Sequence, residues 1–366
     1  LMISYQEDMR ALSSLFAYTN KELEGGYGLS TTLNLSIGTY LEQWGSEGQS
    51  GWLTSEELAP IIDASTRNAD ANHFILTGEH SDREEGVTFD ESARLDAFTG
   101  LLTYDWHDDG ASARQLLDWM AEGGDSDDTD LKEKADKAME GFIDLITRPD
   151  IQEALLQTGN KIEDTFTTVN RDGKEVTEDF EWRDVSMGHL NPDFADSMAG
   201  IFETYISTFA DPSVVEGNTL TPGVETSYDK KDGLVISLDD RRAFTQFIAG
   251  DPEAAMRMLE ITDEYTKEGI DAYFAGSTKE DSVRNIARET GLLWNAVGSG
   301  ISDEATYRSE SHASDLATEK KNKDFVVDFS ATFIPNPQLA ETYKFFAKEF
   351  VSTTVDGGQE VEVRNF

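Results

Sequence analysis

The densest chemistry in the chain lies in Tyr104-Asp105-Trp106-His107-Asp108-Asp109-Gly110. Three carboxylates and an imidazole fall within five consecutive residues there. Hard divalent cations take carboxylate oxygens, and a histidine nitrogen beside them suits a transition metal. Asp105, His107, Asp108 and Asp109 are therefore the candidate metal ligands, with a divalent cation as the cofactor they could hold. A competing reading needs no metal: Asp108 or Asp109 caps a helix opening at Ala111, and Trp106 packs in the core. Of 366 residues, 72 are Asp or Glu, so such clusters arise by chance, and the capping reading is the expected one.

Other chemistry-bearing patterns fail on spacing. Asp125-Ser-Asp127-Asp-Thr129-Asp130 invites comparison with a calcium loop, but the sixth position, which must be Gly, is Asp130, and the twelfth, which must be Glu, is Asp136. A solvated loop opening the helix from Leu131 is expected instead. The histidines His73, His80, His107, His189 and His312 include no pair at the i, i+4 spacing of a zinc helix. There is no Gly-x-Ser-x-Gly elbow and no Gly-rich loop followed by Lys-Ser or Lys-Thr. Gly298-Ser299-Gly300 lies inside an apolar helical run, where small residues permit close helix crossing. Sequence supplies no separations for a carboxylate pair of the glycosidase kind. No catalytic residues are assigned, and a non-enzymatic protein is favoured.

Composition sets the partners. The chain carries 30 basic residues against its 72 acidic ones, a formal charge of −42 at pH 7. Such a surface repels nucleic acid and anionic membranes. The acids are spread along the chain, which marks a general surface property, either adaptation to high salt or a secreted or surface protein that meets divalent cations. Twenty Phe and six Trp exclude a disordered chain. Absence of cysteine excludes disulfides, thiolate catalysis and cysteine-ligated zinc or iron. No apolar run reaches the length of a membrane span. The start, Leu1-Met-Ile-Ser-Tyr-Gln-Glu-Asp, lacks the basic and apolar regions of a signal peptide.

The elements that must position these residues read as helices. Apolar residues recur at three-and-four spacing over 4–24, 93–104, 111–121, 131–147, 192–209, 239–247, 252–274 and 339–351. Thr54-Ser55-Glu56-Glu57 is a capping box for a helix through Ile62, Asn68 opens a helix stopped by Gly78, and Pro149 begins another in the first turn. Thr165 to Trp182, around Asp172-Gly173, predicts a small hairpin, and 222–238 a second. Asp281 to Pro335 is the longest apolar stretch, with Val283, Ile286, Ala287, Leu293, Trp294, Val297 and Ile301 on one face. Gly291, Gly298 and Gly300 and the polar run from Ser302 to Lys323 predict a bend and a second helix returning through Phe325, Val326 and Phe329. The expected fold is all-α: an irregular multi-helix bundle with one or two small β-hairpins. Two regions are expected, 1–160 and 161–366, or a single domain, with the 281–335 hairpin as its central element.

Three stretches together carry a family resemblance: Asn68-Ala-Asp-Ala-Asn-His-Phe-Ile-Leu-Thr-Gly78; the continuous run from Leu101 to Leu117; and Ala287-Arg-Glu-Thr-Gly-Leu-Leu-Trp-Asn-Ala-Val297 followed by Lys320 to Asp328. In order and spacing the chain resembles large, mostly helical, uncharacterised actinobacterial proteins, some described as tetratricopeptide-like. These accompany type VII secretion systems, and some carry a C-terminal toxin domain. The resemblance implies a non-enzymatic helical scaffold or carrier that is secreted or surface-associated, engages protein partners and, in the toxin-bearing members, forms the body of a polymorphic toxin. It brings no functional residues with it. Export motifs are not decisive here: Trp44-Gly45 lacks the intervening residue of Trp-x-Gly, and the Tyr18–Glu22 and Tyr104–Asp108 spacings are expected by chance. The alternatives are a metal-dependent hydrolase using Asp105–Asp109, a structural component of a phage or surface assembly, and, for location, the cytoplasm. The oligomeric state is not encoded in any pattern found.

The charge generates a direct prediction. Screening of like carboxylates strengthens as the Debye length falls from about 10 Å to about 3 Å between 0.1 and 1 M salt. The melting temperature is expected to climb across that range in sodium chloride, whereas a flat thermal-melting series would mark a surface that is acidic without being salt-adapted.

Overall fold

A computed structural model describes residues 2–311 apart from 19, 21–23, 45–52, 81–89, 170–174, 217–218, 221–223 and 276–280. The first half contains α1 (Met2–Ala17), α2 (Tyr27–Trp44), α3 (Ser55–Ser65), α4 (Ala69–Thr77), α5 (Glu91–Thr103), α6 (Gln115–Gly124), α7 (Thr129–Thr147) and α8 (Pro149–Leu156). An antiparallel hairpin, β1 (Lys161–Val169) and β2 (Glu175–Arg183), separates these from α9 (Met187–Leu190), α10 (Pro192–Thr204) and α11 (Ile206–Ala210). Two short antiparallel pairs follow, β3 (Val215–Glu216) with β4 (Thr219–Leu220) and β5 (Ser227–Asp229) with β6 (Gly233–Val235). Then come α12 (Leu238–Ile248), α13 (Pro252–Phe274) and α14 (Asp281–Ser311). The protein is helix-dominated, as its periodicity requires.

Local chemistry explains most of the boundaries. Thr54 and Glu57 form a reciprocal capping box at α3, satisfying two backbone donors that a helix start leaves open. The Asn68 side chain caps α4 through Ala71 N at 2.8 Å, and Gly78, at φ 76°, closes it in the left-handed conformation. Asp128 accepts from Asp130 N and Leu131 N, so the acidic loop at 125–130 is a helix cap and α7 opens two residues before Leu131. Pro149, Pro192 and Pro252 each occupy a first helical turn, where their missing N–H costs nothing.

Several boundaries differ from the sequence reading. The first helix ends at Ala17, well before Glu24. Residues 192–209 form two helices broken at Tyr205, whose buried side chain donates to Asp136 Oδ1 on α7 at 3.0 Å. The first hairpin is longer than predicted, pairing Lys161 with Arg183 and Val169 with Glu175, and its turn residues lie outside the described part. A lone hairpin is marginal in water. This one is clamped at its base, where Thr158 Oγ1 donates to Val185 O at 2.7 Å and Asn160 Nδ2 to Thr103 O at 3.0 Å.

One buried apolar cluster runs from Met9 to Ile301 and includes residues from every helix longer than ten residues. Its middle is a chain of aromatic rings. Phe98 on α5 meets Phe142 on α7 at 6.1 Å, Phe142 meets Phe244 on α12 at 6.0 Å, and Phe244 meets Phe209 at 5.2 Å. Phe209 then meets Phe202 on α10 at 5.0 Å. Each ring is fully buried. Burial of such a side chain stabilises by about 1.5–3 kcal/mol.

Glycines set the closest helix crossings. A Cβ on Gly100 of α5 would collide with the Gly38 carbonyl of α2, and one on Gly38 would stand 2.5 Å from Ala97 O. The backbones of α2 and α5 therefore touch. Gly300 does the same for α14, where a Cβ would collide with Thr245 Oγ1 of α12, whose hydroxyl donates to Ala296 O at 2.9 Å. The apolar run from Asp281 does not bend at these glycines. It continues as one helix through Gly291, Gly298 and Gly300 to Ser311, because contact with α12 offsets the cost of about 1 kcal/mol that each helical glycine carries. The predicted return through Phe325 to Pro335, like the helix at 339–351, lies outside the described residues. Nor is the whole stretch core. Leu293, Trp294, Val297 and Ile301 are buried, but Ile286 is half-buried and Ala287 exposed.

The two kinds of glycine separate in a substitution test. Gly100→Ala and Gly300→Ala are expected to destabilise by about 1–3 kcal/mol through overpacking, in urea denaturation. Gly298→Ala, where a Cβ meets nothing within 4 Å, is expected to stabilise by about 0.5–1 kcal/mol.

Candidate functional site

The Asp105–Asp109 segment is the turn that leads from α5 into α6. It passes through two left-handed residues, Asp109 at φ 58° and Gly110 at φ 94°. Gly110 suits that conformation, and Asp tolerates it better than most residues. The turn is bolted to α10. Asn191 Oδ1 accepts from Trp106 N at 3.3 Å, its Nδ2 donates to Tyr104 O at 2.8 Å, and Asp193 N donates to Asp109 O at 3.0 Å. Trp106 is buried as expected, and its Nε1 donates to Leu101 O at 2.9 Å.

The four candidate ligands divide their attention. Asp108 Oδ2 accepts from Ser112 N at 3.1 Å and from the Ser112 hydroxyl, so Asp108 caps the turn ahead of α6. The helix itself starts later than the expected Ala111, at Gln115. His107 turns to α3, with Nδ1 3.1 Å from Ser55 Oγ, which also accepts from His107 N at 2.8 Å. Asp105 is pushed above the usual carboxylate range by partial burial and, secondarily, by Asp109. Asp105, His107 and Asp109 are exposed, and Asp108 is half-buried. Among the described residues, no three His, Asp or Glu side chains are gathered as a metal ion requires. The remaining histidines are dispersed. His73 is buried beside Trp119, and burial holds its imidazole down at about 4. His189 is held at about 3 by burial and then by Arg308, His80 meets Tyr27 Oη at 3.1 Å, and His312 lies outside the described residues.

The charged groups that do converge lie one step away, and sequence reading missed them. Arg114 binds Asp118 at 2.8 Å, Asp193 at 2.9 Å and Asp196 at 3.0 Å, while Arg257 binds Asp196 at 2.8 Å and Glu203 at 2.8 Å. Two guanidinium groups thus join α6, α10 and α13. Only the Arg114–Asp118 spacing of four was visible in the sequence. Elsewhere the excess of acid remains: Asp144 is pushed up to about 6 by partial burial and by Glu140, Asp240 and Glu225 around it. A second missed cluster is buried. Glu304 on α14 accepts from Ser186 Oγ at 2.6 Å and from Arg308 Nε at 3.0 Å, and Arg308 donates onward to Gly250 O. These groups hold helices together.

The exposed apolar side chains point to surfaces instead. Leu15, Tyr18 and Leu29 stand out at the end of α1 and the start of α2, and Ile270, Tyr273 and Phe274 at the end of α13. No described helix is long and apolar enough to cross a membrane.

Comparison with known proteins agrees with the helical character of the chain. A family model described as a TPR repeat domain matches residues 2–119, from the start of α1 into α6. Residues 2–119 are thus similar to a TPR repeat domain. No curated protein matches the chain. A crystal structure of an engineered protein aligns over 95% of each chain at 11% identity, with a TM-score of 0.15.

The turn can be tested as a structural device. Asp108→Ala is expected to destabilise by about 1 kcal/mol, as loss of a cap does. Calcium, manganese or zinc at millimolar concentration is expected to leave the melting temperature of the native protein unchanged. A rise with one of these ions that Asp108→Ala abolishes would make the turn a cation site.

Proposed function

We propose that this chain is a non-enzymatic helical scaffold or carrier, the body of an actinobacterial secreted or surface-associated protein linked to type VII secretion. The match of the TPR repeat domain to residues 2–119 carries this reading. Helical repeats of this kind bury a continuous core between neighbours and leave extended surfaces for other proteins. Here α2 packs against α3, α4 and α5, and Leu15, Tyr18 and Leu29 remain at the surface of the same unit. The secretion link, and the possible toxin body, rest on the resemblance carried by residues 68–78, 101–117, 287–297 and 320–328. The charge of −42 supports an exported, soluble carrier that repels acidic polymers.

Two experiments bear on this. Tagged full-length protein in an actinobacterial host is expected in the secreted fraction only while the type VII apparatus works, and equal release without it would remove the secretion link. A photo-cross-linking residue at Leu15 or Tyr18 is expected to trap a discrete protein partner. A uniform absence of adducts from both positions would count against the scaffold surface.

A further inference from the structure

The second half of α13 leaves the core. Ala254, Ala255, Met258, Leu259 and Thr262 are buried, and no residue after Thr262 is. From there to Phe274 the helix is supported by the first half of α14. The contacts are Ile286 against Gly269, Tyr265 beside Glu289, and Trp294 Nε1 donating to Thr266 Oγ1 at 3.2 Å. The pair forms a two-helix arm. Its α13 carries an apolar strip at i, i+3 and i+4: Ile270 is 43% exposed, Tyr273 40% and Phe274 79%. The last two rings lie edge to face, with centroids 5.4 Å apart. Among the described residues nothing covers this strip.

Charge narrows what could. On α13 itself Asp263, Glu264, Glu268 and Asp271 flank the strip and the one cation, Lys267, is paired to Asp263, while the adjoining turns of α14 add Glu289 and the cations Arg284 and Arg288. An apolar strip with an acidic rim complements a helix with an apolar stripe and a basic rim. A second copy would bring its own charge of −42 and the same acidic rim, so self-association is opposed. We propose that the α13–α14 arm is a docking site for a cationic amphipathic helix of a partner protein, which lies on Ile270, Tyr273 and Phe274 as the third helix of a small bundle. This rests on the scaffold reading and adds a second surface, outside the TPR-like unit, with a defined partner chemistry.

The test uses the full chain and a fluorescent leucine–lysine amphipathic peptide, with its leucine–glutamate counterpart as control, read by anisotropy. The basic peptide is expected to bind and the acidic one not. The doubly substituted Ile270→Ser/Phe274→Ser protein is expected to lose affinity by about tenfold or more, with circular dichroism confirming an intact fold. Glu268→Gln/Asp271→Asn is expected to weaken binding and flatten its salt dependence. Leu15→Ser/Leu29→Ser, in the TPR-like unit, is expected to bind as the native chain does. The inference is overturned if the arm variant binds the basic peptide unchanged, if neither peptide binds, or if the acidic peptide binds equally. It is also overturned if light scattering shows a native dimer that the arm variant dissolves. Loss of binding in the Leu15/Leu29 variant alone would move the site to the TPR-like unit and leave the scaffold reading standing.

Discussion

Phe142 touches Phe98 on one side and Phe244 on the other, and the two halves of the chain are joined through it. Those rings belong to helices far apart in sequence, so no local pattern could bring them together. Once α7 is placed between α5 and α12, the continuing contacts to Phe209 and Phe202 fix where α10 and α11 lie. Edge-to-face aromatic contacts favour particular orientations, which suits a junction where several helices must meet in one arrangement. The glycine crossings then set the distances. The α2 and α5 backbones approach at Gly38 and Gly100, and α12 and α14 at Gly300, with spacings that any side chain would enlarge.

Polar groups inside the protein are used to close this framework. Arg241 is fully buried, and among the described residues its hydrogen bonds go to carbonyl oxygens rather than to a carboxylate. Its guanidinium donates to Ile236 O, Phe209 O and Asp211 O, gathering the end of α11 and the strand before α12. Burial lowers it to about 10, which leaves it charged at neutral pH, where the carbonyl ends of a helix favour a cation. On the outside, Arg114 and Arg257 are each shared between carboxylates of neighbouring helices. Such partly exposed pairs contribute at most about 1 kcal/mol each. Their value lies in neutralising repulsion where acidic helices converge. Where no arginine reaches, as around Asp144, the carboxylates remain in mutual repulsion.

The arrangement explains why chemistry is scarce and surface plentiful. The candidate metal ligands at 105–109 sit in the turn between two helices, where Asp108 binds Ser112, His107 binds Ser55 and Trp106 N binds Asn191. What stands free of such duties is apolar: the strip at Leu15, Tyr18 and Leu29 and the strip on the arm. The proposed scaffold role draws on these exposed apolar side chains.

The sequence by itself determined the helical class, the caps at Thr54 and Asn68, the stop at Gly78, the proline starts and the presence of two hairpins. These are local effects, set by periodicity, side-chain capping and backbone freedom within a few residues. It also signalled that Trp106 is core, but not that the helix after Asp108 opens only at Gln115, leaving Asp108 to bind Ser112 in the turn before it. It misjudged the run from Asp281, since composition alone could not tell a glycine that breaks a helix from one that lets a neighbour approach. The tertiary structure decided that, because Gly300 faces Thr245 and Gly298 faces open space. Likewise the convergence of Arg114 and Arg257 on Asp196, the burial of Glu304 with Arg308, and the exposure of Phe274 depend on which helices lie side by side. That choice follows from long-range packing, which no window of the sequence contains.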